Sequence, residues 1–184
     1  MSELMDGFAV AAAPAGFVVA SDGTLFDPRA DTWDLPTRTC TSPIKFSSLR
    51  EMATADLVQE VKRPFRLLAE TRNLNSVRSS LQQFRSLLLV AHQRRDFLVD
   101  EIDAEDVAAW IGRGNLRYIG QLRPLTDAWR TLRLPGFSAE AFDLLLSMRA
   151  PSIDALEAVR TWDPDTGPYR PAEDAALKVA LDDG

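Results

Sequence analysis

The stretch SVRSSLQQFRSLLLVAHQRR, Ser76 to Arg95, decides the fold. Val77, Leu81, Phe84, Leu88 and Ala91 recur at steps of four and three, which draws one apolar stripe along an α-helix of about five turns. Beside the stripe, Arg78, Arg85 and His92 repeat every seven residues and line up along a second face. Arg94 and Arg95 close the last turn, where positive charge complements the helix dipole. One face of this helix wants a protein core, and the other wants water or something negatively charged.

Working outward, the same helical character begins at Phe46. Ser47 or Ser48 caps a helix through Leu49, Met52, Leu57 and Val61, divided at Thr54. Pro64 is expected to kink or restart it, because a proline removes one helix hydrogen bond. After the central helix, Asp103 caps a short helix from Ala104 to Gly112, with Val107, Trp110 and Ile111 as its buried side. Gly112-Arg113-Gly114 ends it. Asn115 opens the next helix, with Leu116, Ile119, Leu122, Leu125, Trp129 and Leu132 on one face and Pro124 as a bend. Ser138 caps another, with Phe142, Leu145, Leu146 and Met148 inward.

Upstream, Gly16 to Phe26 reads as a short hairpin turning at Asp22-Gly23. The segment to Pro43 carries Pro28, Pro36 and Pro43 and reads as an arm or extended linker. Trp33 and Leu35 either anchor this arm on a neighbouring surface or belong to a poorly ordered terminus. The fold class expected is mostly α: a compact helical bundle over residues 46–150, an irregular N-terminal arm over 1–45, and a linker with a short C-terminal helix over 151–184.

Composition sets the class. Of 184 residues, 46% are hydrophobic and 26% charged, ordinary for a globular protein. The lone Cys40 rules out an internal disulfide and a cysteine-based zinc site. The apolar run at 8–20 follows Glu3 and Asp6 rather than Lys or Arg, and Pro14 and Gly16 break it, so a cytoplasmic location without a membrane segment is expected.

Net charge is −6, which argues against a generic nucleic-acid binder. Its distribution is uneven: residues 45–95 hold ten Lys/Arg against four Asp/Glu, whereas residues 96–112 hold six acids and no base. Solvated helix faces account for such runs, and so does a locally positive surface whose field is offset elsewhere in the molecule.

No pattern supports an enzyme. His92 is the only histidine, and no glycine-rich phosphate loop is present. The carboxylate pairs Asp103/Asp106 and Glu173/Asp174 sit where helix caps belong. The acidic run at 100–106 lacks the spacing of a calcium loop. Binding is the remaining chemistry. Lys62, Arg63 and Arg66 precede the central helix, and Arg113, Arg117, Arg123, Arg130 and Arg133 follow it. Guanidinium groups at helical spacing, interleaved with Ser79, Gln82, Ser86 and Gln93, suit phosphate contacts with hydroxyl and amide support.

The order of the pieces carries a resemblance. An arm with DTWDLP, the helix SVRSSLQQFRSLLLVAHQRR, then DEIDAEDVAAWI, DAWRTLRLPGFS and EAVRTWDPDTGPYRPAEDAALKVAL resembles the N-terminal portion of tyrosine-type site-specific recombinases, the phage-integrase family. It covers roughly Asp31 to Leu181, and WDPDTGP is its most specific piece. The resemblance implies a helical, SAM-like core-binding domain followed by an interdomain linker and the first helix of a catalytic domain. It implies double-stranded DNA as the partner, with other recombinase protomers or an accessory protein beside it, and no cofactor or metal. By matching helices it implies DNA contacts at Arg78, Ser79, Gln82, Arg85 and Gln93, then Arg117, Arg123 and Arg130. The family's catalytic arginines, lysine, histidine and nucleophilic tyrosine would lie past the end of this sequence, so no strand cleavage is expected. Arg170 stands where a Ser or Thr cap would be expected. The alternative expectation is a helical protein–protein interaction module that does not bind DNA.

Overall fold

The structure is a computed structural model, and it describes residues 14–37 and 40–149. The chain divides into two units, Met1–Ala150 and Pro151–Gly184. The linker and terminal helix expected over 151–184 lie outside the described residues.

The first unit is mostly helical. Four two-residue strands lead: β1 (Val18–Val19), β2 (Leu25–Phe26), β3 (Thr32–Trp33) and β4 (Ile44–Lys45). They form two antiparallel pairs, β1 with β2 and β3 with β4. Gly23 adopts a φ of +89°, as the Asp22-Gly23 turn requires. Among the described residues five helices follow: α1 (Ala55–Thr71), α2 (Leu74–Arg95), α3 (Ala104–Gly112), α4 (Ile119–Thr131) and α5 (Ala139–Ser147). Short 3-10 turns occupy Ser47–Leu49 and Asn115–Tyr118.

The described part of the arm, residues 14–37 and 40–45, contributes to the core. Trp33 and Leu35 are fully buried, and Phe26, Ile44 and Phe46 are buried with them. Phe26 meets Trp33 with ring centroids 4.8 Å apart, Trp33 meets Phe46 at 4.6 Å, and Phe46 meets Phe65 of α1 at 5.8 Å. The series continues through Phe84 of α2 to Trp129 of α4, and through Phe137 to Phe142 of α5. One connected run of rings therefore crosses from the first hairpin to the last helix, mostly in the tilted and edge-on arrangements that aromatic quadrupoles favour.

Local signals set the helix starts. Thr54 accepts a hydrogen bond from the Leu57 amide and divides the first helical segment into the 3-10 turn and α1. Pro64 does not restart the helix: α1 runs through it to Thr71. Its ring is buried with Val61, Phe65 and Leu68, and this packing outweighs a single missing hydrogen bond. Pro124 lies within an unbroken α4 in the same way.

The central helix is more enclosed than its stripe predicts. Val77, Phe84, Leu88 and Ala91 are buried, but so are Leu74, Ser80, Gln83, Leu87 and Val90. α2 touches α1, α3 and α4, so roughly two of its faces are covered. The connection from α2 to α3 is stitched at both ends. Val99 exchanges backbone hydrogen bonds with Met52 and Thr54, and Ile102 does so with Gly136 and Ser138. Gly136 must be glycine: its φ is +105°, and an added Cβ would fall 2.5 Å from a Leu57 methyl.

Candidate nucleic-acid interface

A basic groove lies where the arm meets the first half of α2. Ile44 turns inward from β4, and strand alternation turns Lys45 outward. The Ser48 hydroxyl donates to the Lys45 carbonyl at 3.0 Å and holds the chain as it enters the 3-10 turn. Across from this segment, Arg78, Gln82 and Arg85 of α2 share a face by their spacing. The groove between them measures about 440 Å³ and is lined by Ser42, Lys45, Ser48, Arg78, Gln82 and Arg85 among others, with no Asp or Glu. Lys45 and Arg85 are exposed, and neither has an ion-pair partner among the described residues. A second shallow groove continues past Arg85 to Ser86, Leu89 and His92, and there Glu51 introduces one carboxylate.

Arg78 is different. Its Nη2 donates to the Leu35 carbonyl at 2.5 Å, and its Nε is buried without an acceptor. It fastens the arm to α2 while adding an unneutralised positive charge to the groove wall. Ser79 is half-buried beside it. Lys45 and Ser48 did not stand out by helical spacing, because one sits on a strand and the other in a 3-10 turn. The signal that marks Lys45 is its place at the start of the basic block.

The other predicted contacts do not join this groove into one surface. Gln93 accepts a hydrogen bond from Arg113 Nη1 at 2.8 Å. Arg117 lies over the Tyr118 ring, 4.7 Å from its centroid. Arg123 donates from Nη2 to the carbonyls of Leu146 and Met148, at 3.1 and 2.6 Å, and so serves the end of α5. Arg130 is exposed and has no ion-pair partner among the described residues. Ser80 donates to the Gln121 carbonyl at 2.6 Å, which marks the side of α2 that meets α4. Arg78 and Arg85 stand about 140–160° round the helix from Ser80. Arg78 and Arg85 therefore point away from the side of α2 that meets α4.

The basic end of α2 is also corrected. Arg94 pairs with Asp103, Glu105 and Asp106 at 2.7, 2.6 and 2.8 Å. Arg95 pairs with Asp103 at 2.9 Å and also contacts Asp106. Asp103 and Asp106 meanwhile form the capping box of α3. Burial raises the Asp103 carboxyl, but the Asp106 amide and the two guanidiniums outweigh it and hold the group below the usual carboxylate range. Arg94 is held above its ordinary value chiefly by its hydrogen bond to Asp106. His92 Nδ1–H donates to the Phe97 carbonyl at 2.9 Å. Arg94 and Arg95 close the α2–α3 corner and are not offered to a ligand.

Among the described residues no group of three or more His, Cys, Asp or Glu is placed to hold a metal ion, and no helix is long and apolar enough to cross a membrane. The chain matches no family model, no curated protein and no solved structure.

Proposed function

We propose that this domain binds duplex DNA through backbone phosphates at the Lys45–Arg78–Arg85 groove, as the non-catalytic DNA-binding module of an integrase-like site-specific recombinase. The observation that carries the DNA reading is a groove lined by three cations, two serines and a glutamine, with no carboxylate on its wall. Cations with hydroxyl and amide neighbours are the usual partners of phosphate oxygens. The recombinase assignment rests on the order of sequence features from DTWDLP to WDPDTGP.

A mobility-shift series on duplex DNA from low to physiological salt tests this. The parent should bind at low salt, with log K falling steeply as salt rises. Lys45→Ala/Arg85→Ala should weaken binding across all sequences and lower the salt slope by about two, near one per lost phosphate contact. Arg78 is left intact because it also fastens the arm. Absence of binding at low salt, or a double variant equal to the parent, removes the DNA reading.

The alternative, a protein-interaction module, is supported by a separate feature. Leu89, Phe97 and Leu98 are exposed at the end of α2 and just after it, Phe97 by 56%. A parent that ignores DNA but self-associates, and loses self-association on Phe97→Ser, would favour it.

A further inference from the structure

A second basic groove lies elsewhere on the domain, between the first hairpin and α1. Gln59, Lys62, Arg63 and Arg66 recur at the spacings that share a helix face and line one wall; Phe17, Pro28 and Arg29 complete it, and no carboxylate lines it. Its volume is about 440 Å³. Its cations are not equally available. Lys62 is buried, and its Nζ is bound to Asp31 at 2.6 Å and to the Arg29 carbonyl at 3.0 Å. Among the described residues Arg63 and Arg66 pair only with Glu60 and Glu70 on their own helix, at 3.1 and 2.7 Å, with side chains 58% and 49% exposed. Exposed pairs of this kind are worth little and exchange readily for a better anion. Arg29 is exposed and has no ion-pair partner among the described residues.

Beside the groove, the outer side of the hairpin is just as open. In the hairpin, Val19 faces Leu25 across the strands, and Phe17 precedes Val19 by two residues, so all three share one side. That side is uncovered: Phe17, Val19 and Leu25 are 45%, 43% and 47% exposed. Val18, Ala20 and Phe26 alternate with them and turn toward the core. An exposed ring thus stands next to a row of arginines, with further apolar surface behind it. From Gln59 to Arg66 the row covers about 10 Å of helix axis.

We infer that this groove holds single-stranded nucleic acid, with a base stacked on Phe17 and its neighbouring phosphates on Arg29, Arg63 and Arg66. A charged track beside an aromatic platform is how unpaired strands are held without sequence preference. Gln59 supplies an amide for a base edge or a sugar hydroxyl. The inference is independent of the duplex site, since it uses none of its residues.

The test uses the full 184-residue chain and fluorescein-labelled eight-nucleotide oligo(dT) and oligo(U), read by anisotropy from low to physiological salt. Both oligomers should bind at low salt and weaken as salt rises. Equal affinity would mean that stacking and phosphate contacts suffice, and tighter oligo(U) would assign the Gln59 amide to the ribose hydroxyl. Phe17→Ala should weaken binding about fivefold or more, the low end for one lost base stack. Arg63→Glu/Arg66→Glu should abolish binding at physiological salt. Lys45→Ala/Arg85→Ala should weaken oligomer binding far less than Arg63→Glu/Arg66→Glu, which separates this groove from the duplex site. All the substituted residues are exposed, and far-UV circular dichroism checks their folding. Failure of the parent to bind at low salt, insensitivity to Phe17→Ala, or tighter binding to anionic phospholipid vesicles than to either oligomer would overturn the inference.

Discussion

Asp106 has no exposed surface, yet it is a carboxylate that serves two guanidiniums and a helix N-terminus together. Removing one partner of such a buried cluster strands the others, so Asp106→Ala should destabilise the domain by about 3 kcal/mol, measured as a lower urea midpoint. Asp103, whose side chain is 40% exposed, is the milder case and the one that reports on pH. Its folded carboxyl titrates below the unfolded one, so its contribution is present above about pH 4 and is lost as pH falls through the folded value. Asp31 behaves in the same sense, because its hydrogen bond to Lys62, with Arg50 adding to it, outweighs desolvation and holds it low. Asp103→Asn keeps a good capping oxygen and removes the charge together with the oxygen that accepts from Arg94 and Arg95. It should cost about 1 kcal/mol or less at pH 7 and flatten the fall of the urea midpoint between pH 5 and pH 2; an unchanged acid limb would contradict the assignment.

At the level of elements, the features legible in the sequence were those made by neighbours. The Asp103 and Ser138 caps and the Asp22-Gly23 turn each depend on residues a few positions apart. What escaped reading depends on distant partners. Arg78 looked like a solvent-facing cation because its acceptor, Leu35, is 43 positions away. Arg94 looked like a dipole-complementing terminus because Asp103 and Asp106 belong to the next helix. Ser80 and Gln83 are polar side chains on a buried side, which no apolar stripe can signal. Arg123 illustrates how a predicted contact becomes a brace. Its charge sits on the last carbonyls of α5, a short helix with no basic residue in its own last turn. Arg123→Ala should therefore loosen α5 by about 1–2 kcal/mol, read as faster amide exchange over residues 139–147 than over α1.

For the whole molecule, the arm and the bundle share one hydrophobic cluster. Leu35, Trp33 and Phe46 fill space that the helices alone would leave open, and the strand pairs that carry them are only two residues long. The rings, and not the strands, hold the arm. Deleting residues 1–45 should thus yield a chain that fails to unfold cooperatively. Trp33→Ala in the full chain should cost about 3–5 kcal/mol, with thermal denaturation by circular dichroism as the readout. A truncated chain that melts as sharply as the parent would show the arm to be dispensable.

The run of rings from Phe26 to Phe142 also has an optical consequence. Neighbours set 4.6 to 6.3 Å apart in a rigid, chiral array couple their electronic transitions. The folded domain should therefore carry intense near-ultraviolet ellipticity that a collapsed but unpacked chain would lose while retaining its helical signal. Light of one wavelength band would then tell whether the interior has crystallised into place.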